Sequence, residues 1–201
     1  MKNIITETIY DGMKKGNSNT IESIIEDLKF ISIDTIANSL SMMARFCGKT
    51  DFMSVGEHSL NCERLAAHWG LDIGIRYQAL MHDCTEAIHQ DVPRPIKYLP
   101  EMEGFRKIES QIEEFLFPIL GVKYPFDDVI KVIDNAVLKT EARIHIGEDI
   151  VETWHWKNDV PDINYYTKDA RPVIFNDSDF FIMPYTHDFA NIKRRFLCKY
   201  N

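Results

Sequence analysis

The stretch Ala79-Leu80-Met81-His82-Asp83-Cys84-Thr85-Glu86 decides how this chain folds and what it can do. It places an adjacent histidine–aspartate pair inside a segment whose apolar residues recur at helical spacing. Asp83 occupies a position on the apolar face where an apolar residue is expected. Because burying an unpaired aspartate costs several kcal/mol, this position needs a cationic partner. A metal ion shared with other residues would remove that cost and create a reaction centre.

Composition and charge narrow the class of protein. The chain has 201 residues, 45% hydrophobic and 27% charged, as is typical of a globular domain. We predict a single domain over 1–201, with a core at about 30–147 and a C-terminal segment, 148–201, that packs on it. The net charge of −8 argues against binding to duplex nucleic acid.

Targeting and redox signals point to the cytoplasm. No apolar run approaches the ~20 residues that span a bilayer, and the N-terminal residues carry no signal-peptide core. The four cysteines form no Cys-x-x-Cys pair, which argues against a zinc finger or a disulfide scaffold. We therefore expect a cytoplasmic protein, in a bacterium or a phage-infected host, that does not associate with membranes.

Apolar residues at helical spacing predict an all-α fold, with almost no alternating pattern long enough for a strand. Caps and breakers set the expected bounds. The predicted helices cover 21–28, Asp34 to about Phe46, the Ser54–Glu57 capping box to Gly70, Asp72 to Ile88, Phe105 to about Pro118, Asp127 to Gly147, and a closing helix from Thr186. Residues 91–97 are predicted to form a loop.

Aromatic residues are concentrated in the irregular C-terminal segment. We expect them to pack on the bundle or on a neighbouring subunit rather than to bind a base. They are Trp154, Trp156, Tyr165, Tyr166, Phe175, Phe180 and Phe181.

Three polar residues lie on the apolar stripes of three predicted helices: His58, Asp83 and Asp134. Each alone is ordinary, since single core histidines are usually hydrogen-bonded and single aspartates often cap helices. Together with His82 they offer nitrogen and oxygen donors suited to one divalent ion, whether Mn, Fe, Co, Zn or Mg. Such an ion would keep positions for water and a substrate oxygen, as metal-assisted hydrolysis requires.

Further polar residues surround this set. Glu86 follows His82 by four residues, so on a helix it lies on the same side and is close enough to act on a water or a leaving oxygen. Its alternative role is that of a solvated acid at a helix end. Asp91, in the following loop, is a further polar candidate whose alternative role is that of an ordinary turn residue. Arg45, Lys97 and Lys131 are candidate phosphate contacts, although most lysines are merely solvated.

The array from His58 through His82-Asp83-x-x-Glu86 to Asp91-x-Pro93-x-Pro95-x-Lys97 and Asp134 resembles the HD-domain phosphohydrolases. Within them it is most similar to the YfbR-type 5′-deoxynucleotidases and their phage relatives, which include the dATP triphosphohydrolase DatZ. The segments around Arg45–Thr50, Phe52–Ser59 and Val132–Arg143 resemble the same group. The resemblance covers roughly residues 30–145 and implies an HD-domain helical bundle.

The resemblance also implies roles for individual residues. His58, His82, Asp83 and Asp134 would be the metal ligands, Glu86 the catalytic acid or base, and Asp91 the contact to the deoxyribose hydroxyl. Arg45 would hold phosphate, Phe46 would wall the sugar or base, and Lys97 and Lys131 would contact phosphates. Arg45 and Asp83 thereby join Glu86 in the expected catalytic set, and a homo-oligomer is expected.

Two positions depart from the family pattern. Gln90 stands where the family usually has glycine before the aspartate, and this affects the turn that aims Asp91. Lys49 stands where relatives often have histidine, and it would add positive charge near Arg45.

We therefore predict a metal-dependent phosphohydrolase that acts on small deoxynucleotides. Release of phosphate from deoxynucleoside 5′-monophosphates is the leading hypothesis, and release of triphosphate from deoxynucleoside triphosphates is the alternative. A third hypothesis is a non-catalytic, metal-bound nucleotide sensor. The presence of both Glu86 and Arg45 counts against it.

Overall fold

A computed structural model describes residues 20–156, 160, 161, 163 and 189–200, and side chains in the last segment for 193–198. Within these ranges the fold is all-α, as predicted, and the only extended pairing is an isolated bridge between Ala44 and Ser54. The α-helices are α1 (Ile21–Leu28), α2 (Ile33–Met42), α3 (Val55–His68), α4 (Ile73–Met81), α5 (Glu86–His89), α6 (Arg94–Lys97), α7 (Glu103–Ile119), α8 (Asp128–His145), α9 (Glu148–Val151) and α10 (Phe189–Tyr200), with single 3-10 turns at Phe46–Gly48 and Pro100–Met102.

Helix α3 is the centre of the bundle. Eleven of its fourteen residues are buried, because α2, α4, α8 and α10 all pack against it. One core cluster joins α2, α3, α4 and α7 and includes Leu40, Leu80 and Phe117. A second joins α3, α4 and α8 and includes Leu65 and Ile133. A helix buried on nearly every side holds its polar residues in fixed positions, and this determines where His58 lies.

Several helix boundaries match the predictions. The Ser54–Glu57 capping box is present at the start of α3. Asp72 caps α4 by accepting from the backbone N–H groups of Gly74 and Ile75. Helix α7 ends one residue after Pro118, and α8 begins directly after Asp127. The predicted cap at Thr186 and the aromatic residues at 165–181 lie outside the described residues.

The predicted continuous helix from Asp72 to Ile88 is wrong. Helix α4 ends at Met81, and a four-residue turn separates it from α5. The His82 ring nitrogen Nδ1 lies 2.9 Å from the Ala79 carbonyl oxygen, which the backbone N–H of Asp83 would bond in a continuing α-helix. The turn is instead closed by tighter bonds, including Glu86 N–H to the Asp83 carbonyl at 3.0 Å.

Two other boundaries differ from the predictions. Helix α2 is capped by Ser32 instead of Asp34 and ends at Met42 instead of about Phe46. It stops there because Arg45 N–H bonds the Met53 carbonyl at 2.8 Å and Val55 N–H bonds the Met43 carbonyl at 3.0 Å, which makes this segment extended. Residues 94–97, predicted as loop, form α6, with Pro95 in its first turn where proline is tolerated.

Within the described ranges, no helix combines the length and the apolar character that crossing a bilayer requires.

Candidate metal centre and substrate cavity

His58 lies on α3, fully buried and oriented by a carboxylate. Its Nδ1 is 2.8 Å from Glu141 Oε2, and Asn61 Nδ2 donates to Glu141 Oε1 at 3.0 Å. With Nδ1–H donating to that carboxylate, the lone pair of Nε2 is directed into the site. A carboxylate behind a histidine is the usual arrangement around metal-binding imidazoles, because it fixes both the tautomer and the ring orientation.

His82 is prepared in a similar way by the backbone. Its Nδ1 donates to the Ala79 carbonyl at 2.9 Å, which leaves Nε2 as the acceptor. That Nε2 is buried and makes no hydrogen bond of acceptable geometry within the residues the structure describes, although Asp83 Oδ2 lies 3.2 Å away. Buried polar atoms are normally satisfied, so an orphaned imidazole nitrogen is an observation that a bound cation would explain.

Two aspartates meet these nitrogens at short range. His58 Nε2 lies 3.3 Å from Asp134 Oδ1 and 3.6 Å from Asp83 Oδ2, and His82 Nε2 lies 3.2 Å from the same Asp83 oxygen. Donors bound to one ion at about 2.1 Å are separated by about 3.0 Å in octahedral and about 3.4 Å in tetrahedral geometry. The four predicted ligand residues are therefore brought together, and the three distances that join them in a chain are close to those expected around a single ion.

The electrostatics of the site favour a cation between these groups. Burial and Arg45 lower the pKa of His58, but Cys62 and the Glu141 and Asp134 carboxylates outweigh them and raise it well above its ordinary value. Burial raises the pKa of Asp134, yet the hydrogen bond to His58 and the nearby His82 and Lys131 bring it well below its usual range. A positive charge at the imidazole nitrogens, carried by a proton or a metal ion, therefore stabilises the arrangement of His58 and Asp134.

Cys62 is a further donor near this site. Its Sγ lies 3.5 Å from His58 Nε2, and together with His82 it forms a cluster of potential metal ligands. Burial raises the pKa of this thiol to about 11, so it stays protonated unless a metal displaces the proton. Asp83 and Asp134 line the cavity described below, and Cys62 does not, so an ion held by the carboxylates is the one a substrate can reach.

Arg45 is presented by an unusual backbone. Phe46, Cys47 and Gly48 have φ values of 53°, 55° and 64°, a run of left-handed residues that is strained at the bulky Phe46. Arg45 is buried, and its guanidinium lies 3.8 Å from Asp83 Oδ2 and 3.4 Å from Glu141 Oε2. Its charge is thus fixed beside Asp83, a proposed metal ligand, and beside Glu141, the carboxylate that orients His58.

Glu86 and Asp91 lie on the cavity wall. Glu86 Oε2 is buried with no hydrogen-bond partner in the described part of the chain. Burial, reinforced by Asp83 and Asp91, raises the pKa of Glu86 well above its ordinary value. Burial also raises the pKa of Asp91. Gln90 between them has φ 75° and ψ 159°, a conformation normally reserved for glycine.

The predicted phosphate lysines line the cavity but are engaged with carboxylates. Lys97 Nζ donates to Glu109 Oε1 at 2.5 Å, and Lys131 Nζ donates to Asp134 Oδ2 at 2.9 Å. Lys49 is exposed on the turn after Gly48 and is not among the residues that line the cavity. Lys49 therefore does not add the expected positive charge to the cavity wall near Arg45.

The cavity has a volume of about 620 Å³, which is large enough for a nucleotide. Acidic, basic and aromatic side chains share its wall. They are Arg45, Phe46, Asp83, Glu86, Asp91, Val92, Pro93, Arg94, Pro95, Lys97, Tyr98, Lys131, Asp134, Leu138, Thr153, Trp154, His155 and Trp156.

Sequence reasoning assigned no role to two polar residues of the site. Glu141, which orients His58, lies seven residues after Asp134 on the buried face of α8, and that spacing was a usable signal. Arg94 donates to Asp134 Oδ2 at 2.7 Å and to Asn135 Oδ1 at 2.8 Å. Nothing in the local pattern separates it from an ordinary surface arginine.

Residues 55–160 match the HD domain, more than half of the chain, and the chain belongs to this family. It is also 33% identical over 132 residues to the uncharacterized protein YfdR of Escherichia coli (strain K12), a match that covers 65% of this chain and 70% of that protein. HD domains bind divalent metals, and membership indicates a metal-dependent phosphohydrolase. The observed all-α fold and the histidine cluster agree with this assignment.

Proposed function

We propose that this protein is a deoxynucleotide phosphohydrolase that releases phosphate from deoxynucleoside 5′-monophosphates. The observation that carries the proposal is the cavity of about 620 Å³, whose wall holds Asp83 and Asp134 of the proposed metal set together with Glu86, an acid of raised pKa, and several cations. The resemblance to 5′-deoxynucleotidases supplies the substrate class.

His58, His82, Asp83 and Asp134 are the proposed metal ligands, and the orphaned Nε2 of His82 is the strongest sign that they fit an ion. A divalent ion held there supplies Lewis-acid activation of the attacking water and of the phosphate oxygens. Imidazole and carboxylate donors are compatible with Mn, Co, Fe, Zn and Mg, and the proposal holds for any of these ions.

The chain's own residues supply the rest of the mechanism. Arg45 stabilises negative charge on the phosphate oxygens from a buried, fixed position. Glu86, whose pKa is raised by burial, donates its proton to the 5′-oxygen as the phosphorus–oxygen bond breaks. Asp91 accepts a hydrogen bond from the deoxyribose hydroxyl. Water is consumed, and the products are a deoxynucleoside and phosphate.

A deoxynucleoside triphosphate triphosphohydrolase is the second candidate, and Arg94 favours it. Arg94 joins Lys97 and Lys131 on the cavity wall, so three cations are available in addition to Arg45. Additional phosphates need additional positive charge, and the same attack at the α-phosphorus would release triphosphate.

The decisive experiment is a nucleotide panel with product identification. Purified protein is supplied with Mn, Co, Mg or Zn and offered all four deoxynucleoside monophosphates, all four triphosphates and their ribose counterparts. Chromatography then separates phosphate from triphosphate. Phosphate from monophosphates supports the first proposal, and triphosphate from triphosphates supports the second.

Absence of turnover with every metal and nucleotide would overturn both candidates. If metal and nucleotide still bind under those conditions, the protein is a non-catalytic sensor. The control for contaminating phosphatases is Glu86→Gln, which removes the proposed acid without touching a proposed metal ligand. Equal turnover by wild type and this variant would show that the measured activity does not come from the proposed site.

A further inference from the structure

The chain after α8 folds back over the substrate cavity. Gly147, with φ 118°, lets the backbone turn into the short helix α9, which Val151 anchors in the core. Trp154 N–H then bonds the Val151 carbonyl at 3.0 Å, and an ion pair between Arg143 and Glu152 fixes the turn to α8. Residues 153–156 consequently form part of the cavity wall.

Two tryptophans on this segment form a stacked pair. The rings of Trp154 and Trp156 have centroids 5.7 Å apart and an interplanar angle of 30°. Trp156 is held from behind, because its Nε1 donates to the Val151 carbonyl at 3.0 Å and Lys139 Nζ lies 6.0 Å from its ring centroid. Trp156 is therefore a fixed support for the Trp154 ring.

Trp154 leaves much of its aromatic surface uncovered. It is 37% exposed, and across the described ranges Trp156 is its only ring neighbour. Exposed indole surface is unfavourable in water by about 25 cal/mol per Å². A flat aromatic group that enters the cavity would cover this surface, and stacking on a tryptophan suits any nucleobase, since every base has a π-face.

Positively charged residues elsewhere in the cavity would orient such a ligand. Arg45, Arg94 and Lys131 line the same cavity and suit phosphate. A nucleotide, anionic at one end and aromatic at the other, matches a cavity that holds both kinds of side chain. Trp154 and Trp156, which were expected to pack on the bundle or on a neighbouring subunit, also line this cavity.

We propose that Trp154, supported by Trp156, is the stacking platform for the base of the nucleotide substrate. This inference rests on the proposed function, because it takes the ligand to be a nucleotide. The C-terminal segment would thus supply a base-binding surface in addition to the aromatic contact expected from Phe46.

The test compares a nucleotide with a ligand that lacks the base. For Trp154→Ala we expect KM for the preferred deoxynucleotide to rise about tenfold, with KM for 2-deoxyribose 5-phosphate unchanged. Trp154→Phe keeps an aromatic face and should restore most of the affinity. Trp69→Phe, a substitution away from the cavity, should change neither value. Equal effects of Trp154→Ala on both ligands, or no effect on either, would overturn the platform.

A binding measurement separates this proposal from the proposed reaction. The chain has three tryptophans, so Trp69→Phe leaves only Trp154 and Trp156 to emit. Deoxynucleotide should quench this emission, and 2-deoxyribose 5-phosphate should not. Quenching without turnover on the full panel would uphold the platform and reject the enzyme. Absence of quenching by a nucleotide that is turned over would reject the platform and leave the enzyme standing.

Discussion

The proposed metal floor (His58, His82, Asp83, Asp134) and the cationic rim (Arg94, Lys97, Lys131) lie in the same site but are built in opposite ways. The floor side chains are 0–20% exposed, and both imidazoles are held from behind by Glu141 or a backbone carbonyl. The rim side chains are 25–63% exposed, and each forms an ion pair with a carboxylate. The floor is therefore fixed by the fold, whereas the rim has ion pairs that a substrate can exchange.

The largest effect should come from removing a floor ligand. His82→Ala or Asp134→Asn should reduce bound metal to trace levels. Turnover should fall about a thousandfold or more, since metal activation contributes several kcal/mol to catalysis. Elemental analysis of the purified variants and single-turnover assays check this. Stoichiometric metal in both variants would contradict the proposed ligand set.

Two substitutions serve as controls for that result. Cys62→Ser tests the competing His58–Cys62–His82 cluster, and we expect metal content to be unchanged. His68→Ala removes an exposed histidine from the end of α3 and should also be silent. Metal loss in Cys62→Ser with retention in Asp134→Asn would instead assign the ion to the sulfur-containing cluster.

Glu86→Gln should lower kcat by about 10² to 10⁴ while leaving the metal bound. Because the pKa of Glu86 is raised, the proton-donating form is present at low pH. In the wild type, kcat should fall as pH rises through this raised pKa, and the variant should lack that limb. Parallel pH profiles of kcat measure the difference. A decline toward low pH that the variant loses would make Glu86 a base instead of an acid.

Glu141→Gln tests whether the floor depends on the residue behind it. Both Glu141 oxygens accept hydrogen bonds, one from His58 and one from Asn61, and an amide cannot accept at both of its ends. We expect metal affinity to fall about 10- to 100-fold, as measured by competition with a chelator. Glu114→Gln, an exposed change of equal charge on α7, should leave affinity unaffected. Equal affinity in both variants would place the control of His58 elsewhere.

A rim substitution should have a smaller and different effect. Arg94→Ala should raise KM about tenfold or less with kcat and metal content nearly unchanged, since one charge-assisted contact to phosphate is lost. Steady-state kinetics with equilibrium dialysis of the metal separate the two parameters. Lys107→Ala, which removes an exposed ion pair on α7, is the matched control. Metal loss in Arg94→Ala would mean that the rim also supports the floor.

Sequence reasoning anticipated the floor better than the rim. The buried faces of three helices are visible as periodic apolar stripes, so polar residues within them stand out, as His58 and Asp134 do. The break after Met81 was not predictable, because it accompanies a side-chain contact between His82 and the Ala79 carbonyl that no periodicity encodes. Long exposed side chains such as Arg94 follow no pattern, and their partners depend on tertiary placement.

The turn at Gln90 has a consequence for engineering. A non-glycine residue with φ 75° and ψ 159° stores about 1–3 kcal/mol of backbone strain, and here its side chain is exposed. Gln90→Gly should release part of that strain and raise the free energy of unfolding by about 1 kcal/mol, after the added flexibility of the unfolded chain is subtracted. Chemical denaturation measures the gain. This substitution would therefore stabilise the protein without changing a side chain that lines the cavity.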